Sequence, residues 1–289
     1  FSLFQRTAQW VMPRQNVTYS EADRASFRAD PAALEALVQG YRSRTIEGYA
    51  TAVLDYDSPE LAEIQRLCSE NLATVRDPDL RAKLTPSYRA ACKRLVISSE
   101  FYPAIQQPNA RLVTAGIARI EPEGVRTVDG VLHPLDVLVM ATGFHTDRFV
   151  RPTKVIGRGG VDLDDVWADA PVAYLAVSVP DFPNFFMLGG PNSPVGNFSL
   201  IEVCEHQLAY VLQLISGLRR NEYREVSATQ EAMTRFESER QAAAKRTVWV
   251  TGCDSWYLDK QGVPASWTFT YDRFVDEMKA PRPDDFEIR

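Results

Sequence analysis

The chain opens on Phe1-Ser-Leu-Phe-Gln-Arg-Thr7, a short apolar run that ends in polar residues. This pattern predicts a β-strand over residues 1–4 with Arg6 and Thr7 at its tip. Further along, short apolar runs alternate with stretches whose apolar residues recur at helical spacing. Strands and helices mixed in this way indicate the α/β fold class.

The charged stretch over residues 20–92 is predicted to be mostly helical. Asp30-Pro31 and Ser58-Pro59 each place a capping side chain before a proline at the first helical position. Two more helices are predicted, a long amphipathic one over residues 198–218 and a polar one over residues 229–248.

From Leu95 onward the apolar residues occur in short runs typical of strands. Glu123-Gly124 and Asp129-Gly130 are hairpin turn signals between such runs. Residues 137–141 are apolar throughout, which predicts a strand covered on both faces. The other predicted strands cover residues 95–97, 111–114, 117–120, 174–179 and 185–188.

Composition excludes several function classes. A net charge of −6 argues against a nucleic-acid binder, which would usually be basic. No window approaches 18 consecutive apolar residues, so no membrane span is predicted. The four cysteines form no C-x-x-C pair, which favours buried thiols in a reducing cytoplasm. The three histidines lack ligand spacing, so no metal site is predicted.

Arg6 and Thr7 follow the opening strand, and in a dinucleotide-binding unit the tip of the second strand meets the adenosine ribose. An arginine at the tip of the second strand accommodates the 2′-phosphate of NADP, and its planar fork can bond that phosphate bidentately. The alternative is an ordinary surface arginine, because no G-x-G-x-x-G precedes the strand. The nearest glycine cluster, around Gly159, is expected to make a turn.

Lys93 and Arg94 are adjacent cations at the end of the charged helical region. Together they could bind a phosphate and a developing oxyanion, and the alternative is a solvated basic pair. Thr142 and Gly143 follow the apolar run over residues 137–141. The glycine would let the backbone pass close to a cofactor or act as a hinge, unless it is a plain strand-to-turn transition.

Two further stretches carry candidate binding residues. Leu188-Gly-Gly-Pro-Asn-Ser-Pro-Val-Gly-Asn-Phe198 leads into the long helix, whose N-terminal N–H groups could bind the pyrimidine edge of a flavin. The alternative is a simple Ser or Asn cap. Trp256 could stack on a ribose or a nicotinamide, although a core position is usual for tryptophan.

Together these stretches resemble one family, the Baeyer–Villiger and related class B flavoprotein monooxygenases. The five stretches follow the family's order over nearly the whole chain. They are Phe4 to Arg14, Cys92-Lys-Arg-Leu95, Ala141-Thr-Gly-Phe144, Gly190-Pro-Asn-Ser-Pro194 and Ser255-Trp-Tyr257.

The resemblance implies a role for each matching residue. Arg6, Thr7 and Lys93 would contact the 2′-phosphate of NADP. Arg94 would be both a cofactor contact and the catalytic arginine, stabilising an anionic peroxyflavin and the intermediate from its attack on a ketone. Trp256 would hold the nicotinamide ribose. Leu200 falls at a flavin contact where family members often carry methionine. The other implied cofactor contacts are Thr142, Gly143, Pro191, Asn192 and Ser193.

The implied fold is a partial flavoprotein with two Rossmann-like dinucleotide-binding domains, for FAD and NADP, and a helical insertion. Residues 1–19 and 93–148 would belong to the NADP-binding domain, 20–92 to the insertion, and 149–289 to the C-terminal part of the FAD-binding domain. Both G-x-G-x-x-G segments would lie before Phe1, so the chain is expected to be a fragment that is inactive alone.

The implied activity is NADPH- and FAD-dependent oxidation of a ketone by O2 to an ester or lactone. One alternative is an enzyme that oxygenates nitrogen or sulfur, and the Lys93-Arg94 pair favours the ketone-oxidising branch. Another alternative is a non-catalytic helical interaction module, suggested by the charged stretch over residues 20–92.

Overall fold

A computed structural model of the chain describes residues 1–14, 17–43, 48–194 and 198–289. The chain divides into two compact units. The first unit comprises Phe1–Val17, Glu63–Ala90 and Leu95–His145. The second comprises Thr18–Ala62, Ala91–Arg94 and Thr146–Arg289. The predicted division into parts of two nucleotide-binding domains remains a prediction.

The described chain contains both helices and strands. The strands are β1 (Ser2–Phe4), β2 (Val11–Met12), β3 (Val96–Ile97), β4 (Arg111–Val113), β5 (Ile117–Glu121), β6 (Gly124–Thr127), β7 (Leu132–Pro134), β8 (Val226–Ala228) and β9 (Phe286–Ile288). The α-helices are α1 (Glu21–Ala29), α2 (Pro31–Ser43), α3 (Pro59–Ala73), α4 (Pro78–Leu84), α5 (Phe101–Ile105), α6 (Leu163–Val166), α7 (Leu200–Arg219), α8 (Gln230–Ala244) and α9 (Tyr271–Glu277).

The first unit is built on two parallel strand pairs. β1 pairs with β4, with Leu3 opposite Leu112, and β2 pairs with β3. The side chains around them are tied to the backbone: Trp10 Nε1 donates to the Tyr88 carbonyl over 2.6 Å, and Asn71 Nδ2 donates to the Val11 carbonyl over 3.0 Å. Parallel pairing of strands far apart in sequence is typical of α/β folds.

An antiparallel sheet of β5, β6 and β7 completes the first unit. Both predicted hairpin turns are confirmed, since β5 pairs with β6 and β6 with β7. Gly124 starts β6 where a Cβ atom would lie 2.1 Å from the His133 carbonyl oxygen. Only glycine fits there, because real Cβ atoms do not approach backbone so closely.

The second unit packs α7, α8 and α9 around an aromatic core. α7 contributes Val203 and Tyr210, α8 contributes Phe236, and the chain before and within α9 contributes Trp267 and Phe274. The antiparallel pair of β8 and β9 adds Phe286 to the same core. Burying this much aromatic surface supplies much of the stability of the unit.

The helix starts predicted from the sequence are confirmed. The Asp30 carboxylate accepts from the Ala32 N–H at 3.0 Å, and the Ser58 hydroxyl accepts from the Leu61 N–H at 3.2 Å. The two long C-terminal helices are also confirmed, within one to four residues at each end. Within the described residues, no helix combines the length and apolarity needed to cross a membrane.

Two predicted strands are wrong. Tyr174 and Ser178 form only an isolated bridge, because Leu175 and Ala176 between them adopt positive φ angles of 50° and 62° and turn the chain sharply. Of the apolar run over residues 185–188, only Phe186 pairs, in a single bridge to Ser178. Apolar sequence alone does not separate an extended strand from a buried turn.

The predicted buried strand over residues 137–141 is wrong as well. This stretch is irregular, and Val137, Val139 and Met140 are 76%, 80% and 70% exposed. A strand covered on both faces needs neighbours to pair with, and no strand among the described residues pairs with this run.

Candidate active site

Asn192 and Ser193, in the described part of the loop before α7, are held by hydrogen bonds inside the second unit. Asn192 is buried with φ at 68°, a left-handed conformation that asparagine tolerates. Its side chain accepts from the Ala173 N–H at 3.1 Å and donates to the Ala265 carbonyl at 3.3 Å. The Ser193 carbonyl accepts from the Ser266 hydroxyl at 3.1 Å. Pro191 is buried in the same loop.

Gln207 is a site residue that the sequence analysis missed. It is fully buried on α7, its Nε2 donates to the Ser193 hydroxyl at 3.1 Å, and its Oε1 accepts from the Gly189 N–H at 2.7 Å. It thus holds the loop at two points, Gly189 and Ser193. The sequence contains one signal for this role: a polar glutamine stands four residues after Val203, on the apolar stripe of the helix.

The start of α7 presents apolar surface beside its N-terminal N–H groups. Ser199 caps the helix by accepting from the Glu202 N–H at 3.5 Å. Leu200 is 54% exposed and Ile201 is 75% exposed. The predicted loop residues Gly196 and Asn197, with Val195 before them, lie outside the described residues.

A disulfide joins Cys92 to Cys253, residues 161 positions apart with Cα atoms 6.2 Å from each other. The prediction of free thiols is therefore wrong for this pair, while Cys68 and Cys204 are free. The sequence shows no local cysteine motif because only the tertiary fold brings the two residues within bonding distance. Cys92 directly precedes Lys93, which is half-buried, and Arg94, which is exposed.

Trp256 and Tyr257 form a stacked pair with ring centroids 4.0 Å apart. Trp256 is 44% exposed, so it is not a core tryptophan. Tyr257 is buried, and its ring centroid also lies 5.1 Å from that of Trp249. Burial raises the pKa of the Tyr257 phenol to about 12, and the nearby charge of Arg94 opposes part of that rise. The Cys92–Cys253 disulfide links the chain two residues before Arg94 to the chain three residues before Trp256.

A cavity of about 350 Å³ in the second unit is lined by residues of two stretches that carry the family resemblance, residues 190–194 and residues 255–257. Asn192 and Ser193 contribute from the loop before α7, and Trp256 and Tyr257 contribute from the stacked pair. The rest of the wall is largely apolar and includes Phe149, Ala170, Pro171, Val172 and Leu258. A cavity with apolar walls and a few fixed polar groups is typical of a small-molecule site.

Arg240 also lines the cavity and was not predicted. It is 1% exposed and pairs with both carboxylate oxygens of Glu237, at 2.5 and 2.7 Å. It also donates to the Pro264 carbonyl, and at 3.5 Å to the Ser266 carbonyl. Because its donors are engaged in this way, Arg240 holds the chain around Ser266 in place.

The remaining predicted residues lie elsewhere. Among the described residues, the lining of the cavity does not include Pro191, Lys93, Arg94 or Leu200. Four residues belong to the first unit, where all are exposed: Arg6 and Thr7 follow β1, and Thr142 and Gly143 lie in the irregular stretch before His145. Gly143 has φ at 89°, a conformation that favours glycine.

Comparison with known proteins gives consistent matches. The chain is 43% identical over 290 residues to an uncharacterized monooxygenase of Mycobacterium tuberculosis, a match covering 100% of this chain and 58% of that protein. It is 36% identical to a Baeyer-Villiger monooxygenase of Streptomyces coelicolor, covering 90% of this chain and 50% of that protein. No protein-family model matches the chain.

A solved structure agrees with these matches. Cyclohexanone monooxygenase from Rhodococcus sp. Phi1 bound to NADP+ superposes with a TM-score of 0.80 at 25% identity, covering 100% of this chain and 62% of that one. The predicted α/β fold class is confirmed. The chain spans about half to three fifths of the length of these proteins.

Proposed function

Because the chain belongs to the family of class B flavoprotein monooxygenases, we propose that it is part of an NADPH-dependent, FAD-containing enzyme that uses O2 to convert ketones into esters or lactones. One observation carries the proposal. Asn192, Ser193 and Trp256, from two separate signature stretches, line one cavity, and the third stretch, which carries Arg94, is joined by the Cys92–Cys253 disulfide to the chain just before Trp256.

The start of α7 fits the ring of a flavin. Leu200 and Ile201 expose an apolar surface there, and the first N–H groups of a helix attract negative charge. The loop over Pro191, Asn192 and Ser193 is buried and hydrogen-bonded, so it would present its backbone to the ring without rearranging. When bound, the reduced flavin would supply activated oxygen to the substrate.

The exposed face of Trp256 fits the nicotinamide end of NADPH. Its ring is 44% exposed and is supported from behind by Tyr257, so it can cover a ribose without moving. We assign Lys93 to the 2′-phosphate, as a compact cation that binds phosphate well. In the first unit, Arg6 and Thr7 after β1 have the chemistry for such a contact, and Thr142 and Gly143 are assigned to cofactor binding.

Arg94 is assigned the catalytic role. Oxygen insertion beside a carbonyl develops negative charge on the carbonyl oxygen of the ketone, and a positioned cation lowers the energy of that charge. A guanidinium remains charged at any working pH and offers a planar fork of donors. The apolar cavity wall next to Tyr257 favours an apolar ketone and strengthens the charge interaction by excluding water.

The test is Arg94→Ala in the full-length enzyme. We expect NADPH to reduce the flavin at close to the wild-type rate, because Lys93 and Trp256 still place the nicotinamide. Ester formation from a ketone should fall by about 10²–10³-fold, the usual cost of one preorganised donor. Arg94→Lys should recover only part of the loss, since an ammonium lacks the planar fork.

Arg89→Ala is the matched control, because Arg89 is an exposed arginine five residues earlier in the chain. Anaerobic flavin bleaching measures reduction, and gas chromatography measures ester formation. Near-normal ketone turnover by Arg94→Ala would contradict the assignment. Oxygenation of amines or sulfides, with no oxidation of any ketone, would identify the nitrogen- and sulfur-oxygenating branch instead.

A further inference from the structure

The segment that carries Arg94 has little regular structure to hold it. Ala91–Arg94 is a four-residue piece of the second unit, and the chain on both sides of it belongs to the first unit. It contains no helix or strand. Ala91 is buried with φ at 66°, a left-handed conformation that is unfavourable for alanine and persists only where neighbouring contacts enforce it.

The strongest of those contacts is covalent. Cys92 is bonded to Cys253, and the two residues are 0% and 6% exposed. The Thr251 hydroxyl oxygen lies 3.7 Å from the Cys92 sulfur and donates its proton to the Val248 carbonyl at 2.7 Å. Arg94 lies two residues from one end of the disulfide, and Trp256 lies three residues from the other. The bond therefore joins by a short path the two residues assigned to oxygen insertion and to the nicotinamide.

We propose that the Cys92–Cys253 disulfide is a positioning tether that holds Arg94 beside the stacked pair of Trp256 and Tyr257, and that a dithiol reductant switches the enzyme to a less active form. In that step the disulfide takes up two electrons and two protons and becomes two thiols, while the dithiol becomes its own disulfide. The catalytic part of this inference rests on the proposed function, but the tether itself does not.

The expected loss of activity follows from how precisely Arg94 must be placed. Catalytic groups displaced by about 1 Å can lose about 10²-fold in rate. With the bond broken, Ala91 is free to leave its left-handed conformation and Arg94 moves with it. We expect ester formation to fall by about 10- to 100-fold and the KM for NADPH to rise, with FAD retained because the loop before α7 keeps its own hydrogen bonds.

The experiment uses the full-length holoenzyme purified without reductant. Peptide mapping by mass spectrometry should find the peptides of Cys92 and Cys253 linked. The enzyme is then reduced with dithiothreitol, freed of reagent and assayed, and a portion is reoxidised. Since both cysteines are buried, reduction will be slow, and mapping follows its extent. The double variant Cys92→Ser/Cys253→Ser cannot form the disulfide and serves as the permanently untethered enzyme.

A second measurement reports the solvent exposure of Trp256 and does not depend on catalytic activity. The fluorescence of Trp256 is obtained as the difference between the wild type and a Trp256→Phe enzyme. Its quenching by acrylamide should increase when the disulfide is reduced, and also in the double variant. Reoxidation should restore both quenching and kinetics in the wild type. Cys68→Ser and Cys204→Ser are the controls, because both residues are free cysteines and neither substitution touches the tether.

Unlinked peptides in the oxidised enzyme would overturn the proposal. So would a reduced enzyme and a double variant with unchanged quenching and kinetics. If instead the wild type oxidised no ketone, the proposed function would fail, while peptide mapping and Trp256 quenching would still decide whether the tether exists and holds the stacked pair.

Discussion

Replacing Gln207 with leucine tests how the loop at the cavity is held. The change keeps the volume of the side chain but removes its bonds to the Ser193 hydroxyl at 3.1 Å and the Gly189 N–H at 2.7 Å. Ser193 is 1% exposed and loses a partner that water cannot readily replace, whereas Gly189 is only partly buried. At about 1–3 kcal/mol for each buried group left unpaired, we expect a loss of about 2–4 kcal/mol in the free energy of unfolding.

The measurement is urea unfolding followed by both tryptophan fluorescence and circular dichroism, so that agreement of the two probes tests for a single transition. Gln213→Leu is the matched control, since it makes the same change on an exposed face of the same helix, where water can replace the bond from Gln213 to the Lys279 carbonyl. It should change stability by less than about 0.5 kcal/mol. Equal effects of the two substitutions would refute the reasoning. In the holoenzyme, Gln207→Leu should also release FAD more readily than the control does.

Three further predictions follow from individual contacts. In the full-length enzyme, Arg6→Ala should raise the KM for NADPH about ten-fold with little change for NADH, since one charge-assisted phosphate contact contributes about 1.5–3 kcal/mol; equal changes for both coenzymes would contradict this. The 289-residue chain alone should lose FAD on gel filtration, because it contains no G-x-G-x-x-G for the pyrophosphate, and a yellow protein peak would count against this. Arg240→Met should destabilise the protein by about 3–5 kcal/mol in thermal or urea unfolding, because Glu237 loses its buried partner, and a change below about 1 kcal/mol would show that the pair is dispensable.

Much of the local structure could be predicted from sequence, because short-range physics decides it. Asp30 and Ser58 start helices through bonds that span two or three residues. Hairpin turns near Gly124 and Gly130 depend on conformations that glycine adopts readily. Family signatures such as the stretch around Asn192 were likewise visible, since their residue types and order are carried by the chain itself.

The fold class and the helix starts follow from the sequence alone, because residue types and local spacing decide them. The exposure of residues 137–141, the turn that begins at Tyr174 and the bond between Cys92 and Cys253 become visible only in three dimensions. Burial, turning and disulfide pairing depend on what lies opposite a residue in space, and that neighbour can be more than a hundred positions away. Gln207 became recognisable as the clamp of the loop for the same reason, once its helix was seen against Ser193.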